Sequence, residues 1–250
     1  MVKQIKSTDA TKSKKSAKVA AKKFVNPLDP YLKGKKAPGY VVLDGGIGSE
    51  LQFFRDVNLF AVKSDLWDAN AIISAPHVIK QIHLDYYSVG ADIATTATYS
   101  AHLDGFQSLG MTEKQAYKYM QKAVKLAKSA SLKIYKDKLR KNPKAQVLKG
   151  LVAASNGYTG TKKSEGICYS GDYSKISQKE VIDYHQWKLG ALDKSEADLI
   201  LFESLPNIKE AQALKKLIPK MEKPCFVCFV CKNGREISSG ESIREAVKLV

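Results

Sequence analysis

Two acids stand where a chain can bring negative charge to a ligand. Asp44 closes the apolar run "YVVLD" and is followed by Gly45-Gly46, and Glu203 follows the apolar part of "ADLILFES" (197–204). Thr95, Thr96 and Thr98, and the pair Ser155/Asn156, close two further apolar runs. A carboxylate in such a place can hold a substrate, or it can simply finish a strand in a tight turn, and Asp-Gly-Gly fits both readings. The chain also has four thiols, Cys168, Cys225, Cys228 and Cys231, the last three spaced Cys-x2-Cys-x2-Cys. Thiolates are nucleophiles and metal ligands, so that spacing invites a metal reading. In an extended strand, however, Cys225 and Cys231 face one way and Cys228 the other, whereas tetrahedral ligands must converge. No metal is expected at that cluster. His77, His83 and His185 fall in helical segments and read as packing or surface residues, and His102 follows an apolar run.

The elements that carry these residues alternate. "YVVLD" (40–44), "ADIATTATYS" (91–100), "AQVLKGLVAAS" (145–155), "ADLILFES" (197–204) and "PCFVCFVC" (224–231) read as buried strands. Between the first two, Val78, Ile82, Tyr86 and Val89 share one helical stripe that stops at Gly90. Thr112-x-x-Gln115 and Ser177-x-x-Glu180 have the form of capping boxes that open helices. The first of these helices has a seam of small residues, Ala116, Met120, Ala123, Ala127 and Ile134. Pro206-Asn207, with Glu210 three residues on, opens another. Near-continuous apolar strands alternating with helices imply a parallel sheet covered by helices. Polar residues at four successive strand ends favour a (β/α)8 barrel over an open doubly wound sheet, which gathers ligands mainly at one switch point. About five of the βα units fall within this sequence.

The 250 residues are 44% hydrophobic and 26% charged, as in a soluble globular domain. No run approaches the roughly 18–20 apolar residues of a membrane span, and the start lacks the apolar region of a secretory signal. Thiols without a disulfide framework suit a reducing compartment, so the cytoplasm is the expected location. The formal charge is +16, and residues 1–36 hold +9 of it as eleven Lys against Asp9 and Asp29. Residues 1–38 are expected to be a basic, disordered tail and 39–250 the folded domain. Such a tail can be a solvated extension, a contact to RNA or the ribosome, or a nuclear address.

"LDGGIGSEL", "LWDAN", "GADIATTATYSA", "YSGDY", "FESLPNIKEA" and "CKNGREISSGESIREAV", in this order and spacing, resemble the homocysteine S-methyltransferase family over residues 40–250. The resemblance implies a (β/α)8 barrel that moves a methyl group from a sulfonium donor, S-methylmethionine or S-adenosylmethionine, to homocysteine, giving methionine. It implies that Asp44 and Glu203 hold the substrate ammonium, that Gly45 allows close approach of the backbone, that Thr96 lines the homocysteine pocket, and that Trp67 forms an apolar wall near the donor. In the complete family protein zinc ionises the thiol, and its ligands are three cysteines in a Gly-x-Asn-Cys and a Gly-Gly-Cys-Cys segment.

Neither cysteine segment occurs in this sequence. Val250 falls before the sixth strand of the barrel, so the family's zinc cysteines are expected to lie beyond Val250. Zinc is therefore not expected to bind here, and the chain as written is expected to be inactive or nearly so. The sequence reads as part of a longer protein or as a truncated paralogue. In the latter case the alternative function is non-catalytic binding to RNA or a ribosome through the Lys-rich tail. An unrelated phosphate-binding enzyme fits less well, because "DGGIGS" lacks the spacing of a dinucleotide loop or a P-loop. Ala97, where relatives have Asn, and "AASNGYTG" (153–160), in place of a Gly-Pro-Tyr-Gly loop, bear on substrate choice.

Overall fold

Two of the expected helix starts form complete capping boxes. Thr112 Oγ1 accepts from the Gln115 N–H while Gln115 returns a bond to the Thr112 N–H, and Ser177 and Glu180 do the same. A third box, Ser242 with Glu245, opens the last helix. Each box satisfies backbone donors that a helix N-terminus otherwise leaves bare. The computed structural model describes residues 26–34, 37–54, 65–162 and 166–250.

Four strands, β1 (Ile93–Thr95), β2 (Leu151–Gly157), β3 (Leu199–Leu205) and β4 (Cys225–Phe229), form one parallel sheet in the order β1-β2-β3-β4. The helices are α1 (Asp29–Leu32), α2 (Ile47–Leu51), α3 (Asn70–Ser74), α4 (Pro76–Val89) and α5 (Leu103–Ser108). They continue with α6 (Glu113–Lys141), α7 (Ile167–Ser170), α8 (Gln178–Leu192), α9 (Ile208–Leu217) and α10 (Ile243–Leu249). The expectation of a parallel α/β architecture therefore holds. Among the described residues no helix is long and apolar enough to cross a membrane.

The two faces of the sheet differ. Val152, Ala154, Ile200, Phe202 and Val227 point toward the helices and join the main core. Ile93, Ala153, Leu199 and Leu201 form a smaller cluster on the opposite, inner face, with Val41 and Phe226 beside it. The period of two along each strand sorts the residues in this way. The small seam of α6 is buried as the sequence implied, with Ala116, Met120, Ala123 and Ala127 fully covered where α6 meets α4 and α8. Small side chains let helices approach closely.

Three expectations are corrected. The run 40–44 is not a buried strand: only Leu43 bridges to Ile93, and Tyr40, Val42 and Leu43 are 64%, 42% and 42% exposed. Among the described residues it lies at the sheet margin with β1 on one side and no second strand beside it. Val89 is 83% exposed, and the buried stripe of α4 runs instead through Val78, Ile79, Ile82, His83 and Tyr87. The third strand starts at Leu151, not near Ala145, and side-chain hydroxyls take the carbonyls at and just before its start. Tyr31 donates to Lys149 O at 2.8 Å, Ser131 to Gly150 O at 2.5 Å and Tyr87 to Leu151 O at 2.5 Å. Tyr31 lies in α1 and is buried, so the folded body already includes part of the segment expected as tail; residues 1–25 lie outside the described residues.

Candidate active site

At the C-terminal ends of the strands lies a cleft of about 340 Å³. Its lining comes from the segment Leu43–Ser49 leading into α2, from Trp67 and Asp68, from Thr95, Thr96 and Tyr99 after β1, and from Glu203 of β3. Asp44, Gly45, Trp67, Thr96 and Glu203, the five residues singled out from the sequence, all lie in this lining.

Asp44 is held by one neighbour. Thr95 donates its backbone N–H to Asp44 Oδ2 at 2.8 Å and its hydroxyl to Oδ1 at 3.0 Å. Burial pushes the Asp44 carboxyl up to about 7; the two Thr95 bonds pull it down and the Glu203 charge adds to the rise. Glu203 accepts the Ser155 hydroxyl. Burial raises its pKa, against the pull of Ser155, and the nearby Asp68 charge raises it further. Three desolvated carboxylates, Asp44, Asp68 and Glu203, thus share a lining that among the described residues contains no cationic side chain, with the buried Lys188 ammonium acting on Asp68 and Glu203 from behind.

The glycines have steric reasons specific to this site. A Cβ on Gly45 would meet the Tyr86 hydroxyl at 2.6 Å, so the space beside its backbone belongs to Tyr86. The sequence reading gave that space to a ligand. A Cβ on Gly48 would collide with Trp67 Cη2, so the indole lies directly over this glycine. Trp67 adopts φ 40°, in the left-handed region that non-glycine residues rarely enter, and remains 42% exposed. Thr96 is more constrained than the sequence implied. Its hydroxyl accepts the Ser155 N–H at 3.0 Å and pairs with Thr98 at 2.7 Å, while Thr98 donates to Ser155 O at 2.6 Å. Thr96 therefore ties β1 to β2 and offers the cleft mainly its surface.

Sequence reasoning missed the support behind the cleft. Lys188 of α8 is fully buried and donates to Thr98 O and Tyr99 O, both at 2.8 Å, and to the Tyr184 hydroxyl at 3.2 Å. Burial lowers its pKa to about 7, opposed by the charges of Asp68, Glu203 and Glu210. Asp68 is buried at the rim of the cleft and bonded to the Ser100 hydroxyl, and burial raises its pKa. On the helix side of β2, Asn156 Oδ1 meets His185 Nδ1 at 3.1 Å, and His185 Nε2 pairs with Glu210. Tyr173 also donates to Glu210, as does the Thr159 N–H at 2.8 Å. Burial acts to raise the Glu210 carboxyl, but His185 and these donors outweigh it and leave it below its ordinary value. His185 is therefore a hydrogen-bond partner of Glu210 and not merely packing, and Glu210 belongs to this network while Asn207 caps α9 alone. No local pattern marks a buried pair that joins α8 to α9.

The zinc expected for the complete family protein does not fit the residues present. Among the described residues no group of three or more His, Cys, Asp or Glu could hold a metal ion. The ligands that the resemblance places beyond Val250 thus have no substitute within the described residues. Val250 itself follows the last turn of α10, is 41% exposed and takes no part in the cleft lining, so it marks a position in the chain and is not a site residue. Cys225 packs with Val227 and Phe229 against the helical core, and Phe226, like Cys228, belongs to the opposite face. Burial and the charge of Glu203 raise the Cys228 thiol pKa.

Comparison with known proteins agrees with this geometry. The family model for homocysteine S-methyltransferase matches residues 41–250. Homocysteine S-methyltransferase 1 of Zea mays is 36% identical over 219 residues, covering 86% of this chain and 66% of the relative. Selenocysteine Se-methyltransferase of Brassica oleracea var. italica is 35% identical over 222 residues, covering 86% of this chain and 62% of the relative. The chain thus spans slightly less than two thirds of the length of these plant relatives. The metallated form of the homocysteine methyltransferase MmuM from Escherichia coli superposes with a TM-score of 0.75 at 34% identity, covering 90% of this chain and 73% of that one. A parallel sheet of the same architecture, a cleft at its strand ends and a sequence match across residues 41–250 lead to one assignment: the chain belongs to the homocysteine S-methyltransferase family.

Proposed function

We propose that the cleft takes homocysteine and that the protein works in methyl transfer from a sulfonium donor, S-methylmethionine or S-adenosylmethionine, to the homocysteine thiol. The observation that carries this reading is the pair Asp44 and Glu203, two desolvated carboxylates in a lining that among the described residues holds no cation, inside a chain of net charge +16. Such a pair is costly alone and is stabilised by a bound ammonium. Asp44 takes the amino group with Glu203 beside it. Thr96 shapes the wall, and the Trp67 face offers the sulfonium a cation–π contact. Gly45 keeps its own side of the acid end free of a side chain, with Tyr86 packed where a Cβ would stand.

In the transfer, sulfur of the acceptor attacks the methyl carbon and the carbon–sulfur bond of the donor breaks. The bonding pair returns to the donor sulfur, which leaves as a neutral thioether. A free thiol has a pKa of about 8.5 and attacks as its thiolate, so the acceptor must lose its proton first. An anion and a cation disappear together in this step, which a desolvated cleft favours over water. The described residues supply no metal to ionise the thiol, and we assign that task to none of them. The fold supports completion of the sheet as a (β/α)8 barrel, with the cleft on its active face. Free cysteines suit the reducing cytosol.

Titration calorimetry of the 250-residue chain with L-homocysteine at pH 8 tests the site. The wild type should bind, Asp44→Asn and Glu203→Gln should each weaken binding about tenfold or more, and 3-mercaptopropionate, which lacks the amino group, should not bind. Equal affinity of both variants, or of the amine-free thiol, would overturn the assignment. Methionine formation by this chain that survives a chelator would remove the metal from the reading.

A further inference from the structure

Helix α6 carries ten Lys and Arg against Glu113 and Asp137, a net of +8 within 29 residues. Residues 1–36 hold +9 of the total +16, which leaves +7 for residues 37–250 and therefore −1 for those residues outside α6. The basic excess of the folded body is this one helix.

The charge is also ordered in space. Lys114, Lys118, Lys125 and Lys136 fall on one helical face, opposite the buried Ala116, Met120 and Ala123. All four are exposed, and none makes an ion pair among the described residues. Lys133 and Arg140 extend the same stripe and share Asp137. At 1.5 Å per residue the helix is about 43 Å long, and the four lysines, four, seven and eleven positions apart, follow one another at about 6, 10 and 16 Å along it.

We propose that this stripe binds the phosphate backbone of double-stranded nucleic acid without reading its sequence. A row of flexible, unpaired ammonium groups along a straight rod matches a duplex edge that carries a charge about every 1.7 Å, and each contact releases counterions. A lipid surface fits less well. The apolar face of α6 is committed to the core, and on its exposed side Leu132 alone is a large apolar residue left 41% exposed. Single strands fit less well too, because they favour aromatic platforms. Tyr117 and Tyr119 are instead half-buried against Trp187 and Phe106. Pro30 and Lys33 share a surface groove with Tyr135 and Leu139 near the end of α6, and the sequence before α1 is Lys-rich. No residue of α6 lines the cleft, so the two sites are separate.

Fluorescence anisotropy of two 20-base-pair RNA duplexes of unrelated sequence, titrated with the full chain between 50 and 200 mM salt, tests this. Both duplexes should bind alike with a steep salt dependence. The combined variant Lys114→Gln, Lys118→Gln, Lys125→Gln and Lys136→Gln should bind at least about tenfold more weakly, and its log–log salt slope should fall by about 3–4. Deletion of residues 1–25 should weaken binding but leave the effect of the four substitutions intact. If the combined variant melts early, Lys118→Gln and Lys136→Gln singly should each lower the slope by about 1. Unchanged slopes in these variants, complete loss of binding on deleting residues 1–25 alone, or tighter stripe-dependent binding to phosphatidylserine vesicles would each overturn the proposal.

Discussion

Thr95 gives both of its hydrogen-bond donors to Asp44, the backbone N–H at 2.8 Å and the hydroxyl at 3.0 Å. The acid sits on a segment that among the described residues meets the sheet at β1, where the Asp44 N–H itself donates to Ile93 O at 3.0 Å, so its position is fixed by β1 more than by its own run of chain. The same bonds stabilise the ionised form against the cost of burial.

Removing the hydroxyl alone separates these effects. In Thr95→Val the N–H bond stays and the second bond is lost, so the Asp44 carboxyl should titrate above the value of about 7 that it has now. Carbon-detected NMR of the carboxyl carbon would show it. A midpoint that does not move would mean that the hydroxyl bond is absent in solution.

Binding of an amino acid should depend on pH in the neutral range. An ammonium needs the carboxylate form, and burial holds Asp44 at about 7. Affinity should therefore be highest near pH 8 and fall by about tenfold per unit once pH drops well below 7. Calorimetry at pH 8, 7 and 6 measures this, and an affinity that is constant over that range would rule out an ionised Asp44 as the grip.

Stability should run in the opposite direction. The folded pKa of Asp44 is raised above its unfolded value of 3.8, so the folded state binds the extra proton. The chain then loses stability as pH rises from about 4 to about 7, because the ionised acid must stay desolvated. Asp44→Asn should therefore unfold at higher denaturant than wild type at pH 8, by on the order of 1–3 kcal/mol, and the gain should vanish near pH 4. Urea melts at the two pH values decide it.

The pair behind the sheet should behave as a structural unit. His185→Ala leaves the buried Glu210 carboxylate without its imidazole partner, which should cost about 1–3 kcal/mol or more of unfolding free energy. Glu210→Gln in the same background should recover part of that loss, because it removes the unpaired charge. A loss below about 1 kcal/mol for His185→Ala would mean that the site is wetter than the buried network implies.

The sequence made the helix starts legible because capping is local: Thr112 with Gln115, and Ser177 with Glu180, carry their own partners within three residues. The gathering of Asp44, Thr96 and Glu203 was legible through strand order and resemblance, since parallel strands present their C-terminal ends on one side. What escaped was long-range. Lys188 reaches Thr98 and Tyr99 across about ninety positions of chain, and His185 finds Glu210 on the next helix. The exposure of Tyr40, Val42 and Leu43 also escaped, because an apolar run says nothing of how many neighbours its strand will have.

The sheet margins described above have a colloidal consequence. Among the described residues β4 pairs only with β3, and the segment at Leu43 meets only β1, so both flanks present unused backbone groups beside apolar side chains. Flanks of that kind adhere to one another when copies meet. With +16 on each copy, mutual repulsion keeps them apart in dilute buffer, and added salt removes that protection within a Debye length of about 10 Å at 0.1 M. Ionic strength should then limit the concentration at which the 250-residue chain stays dispersed.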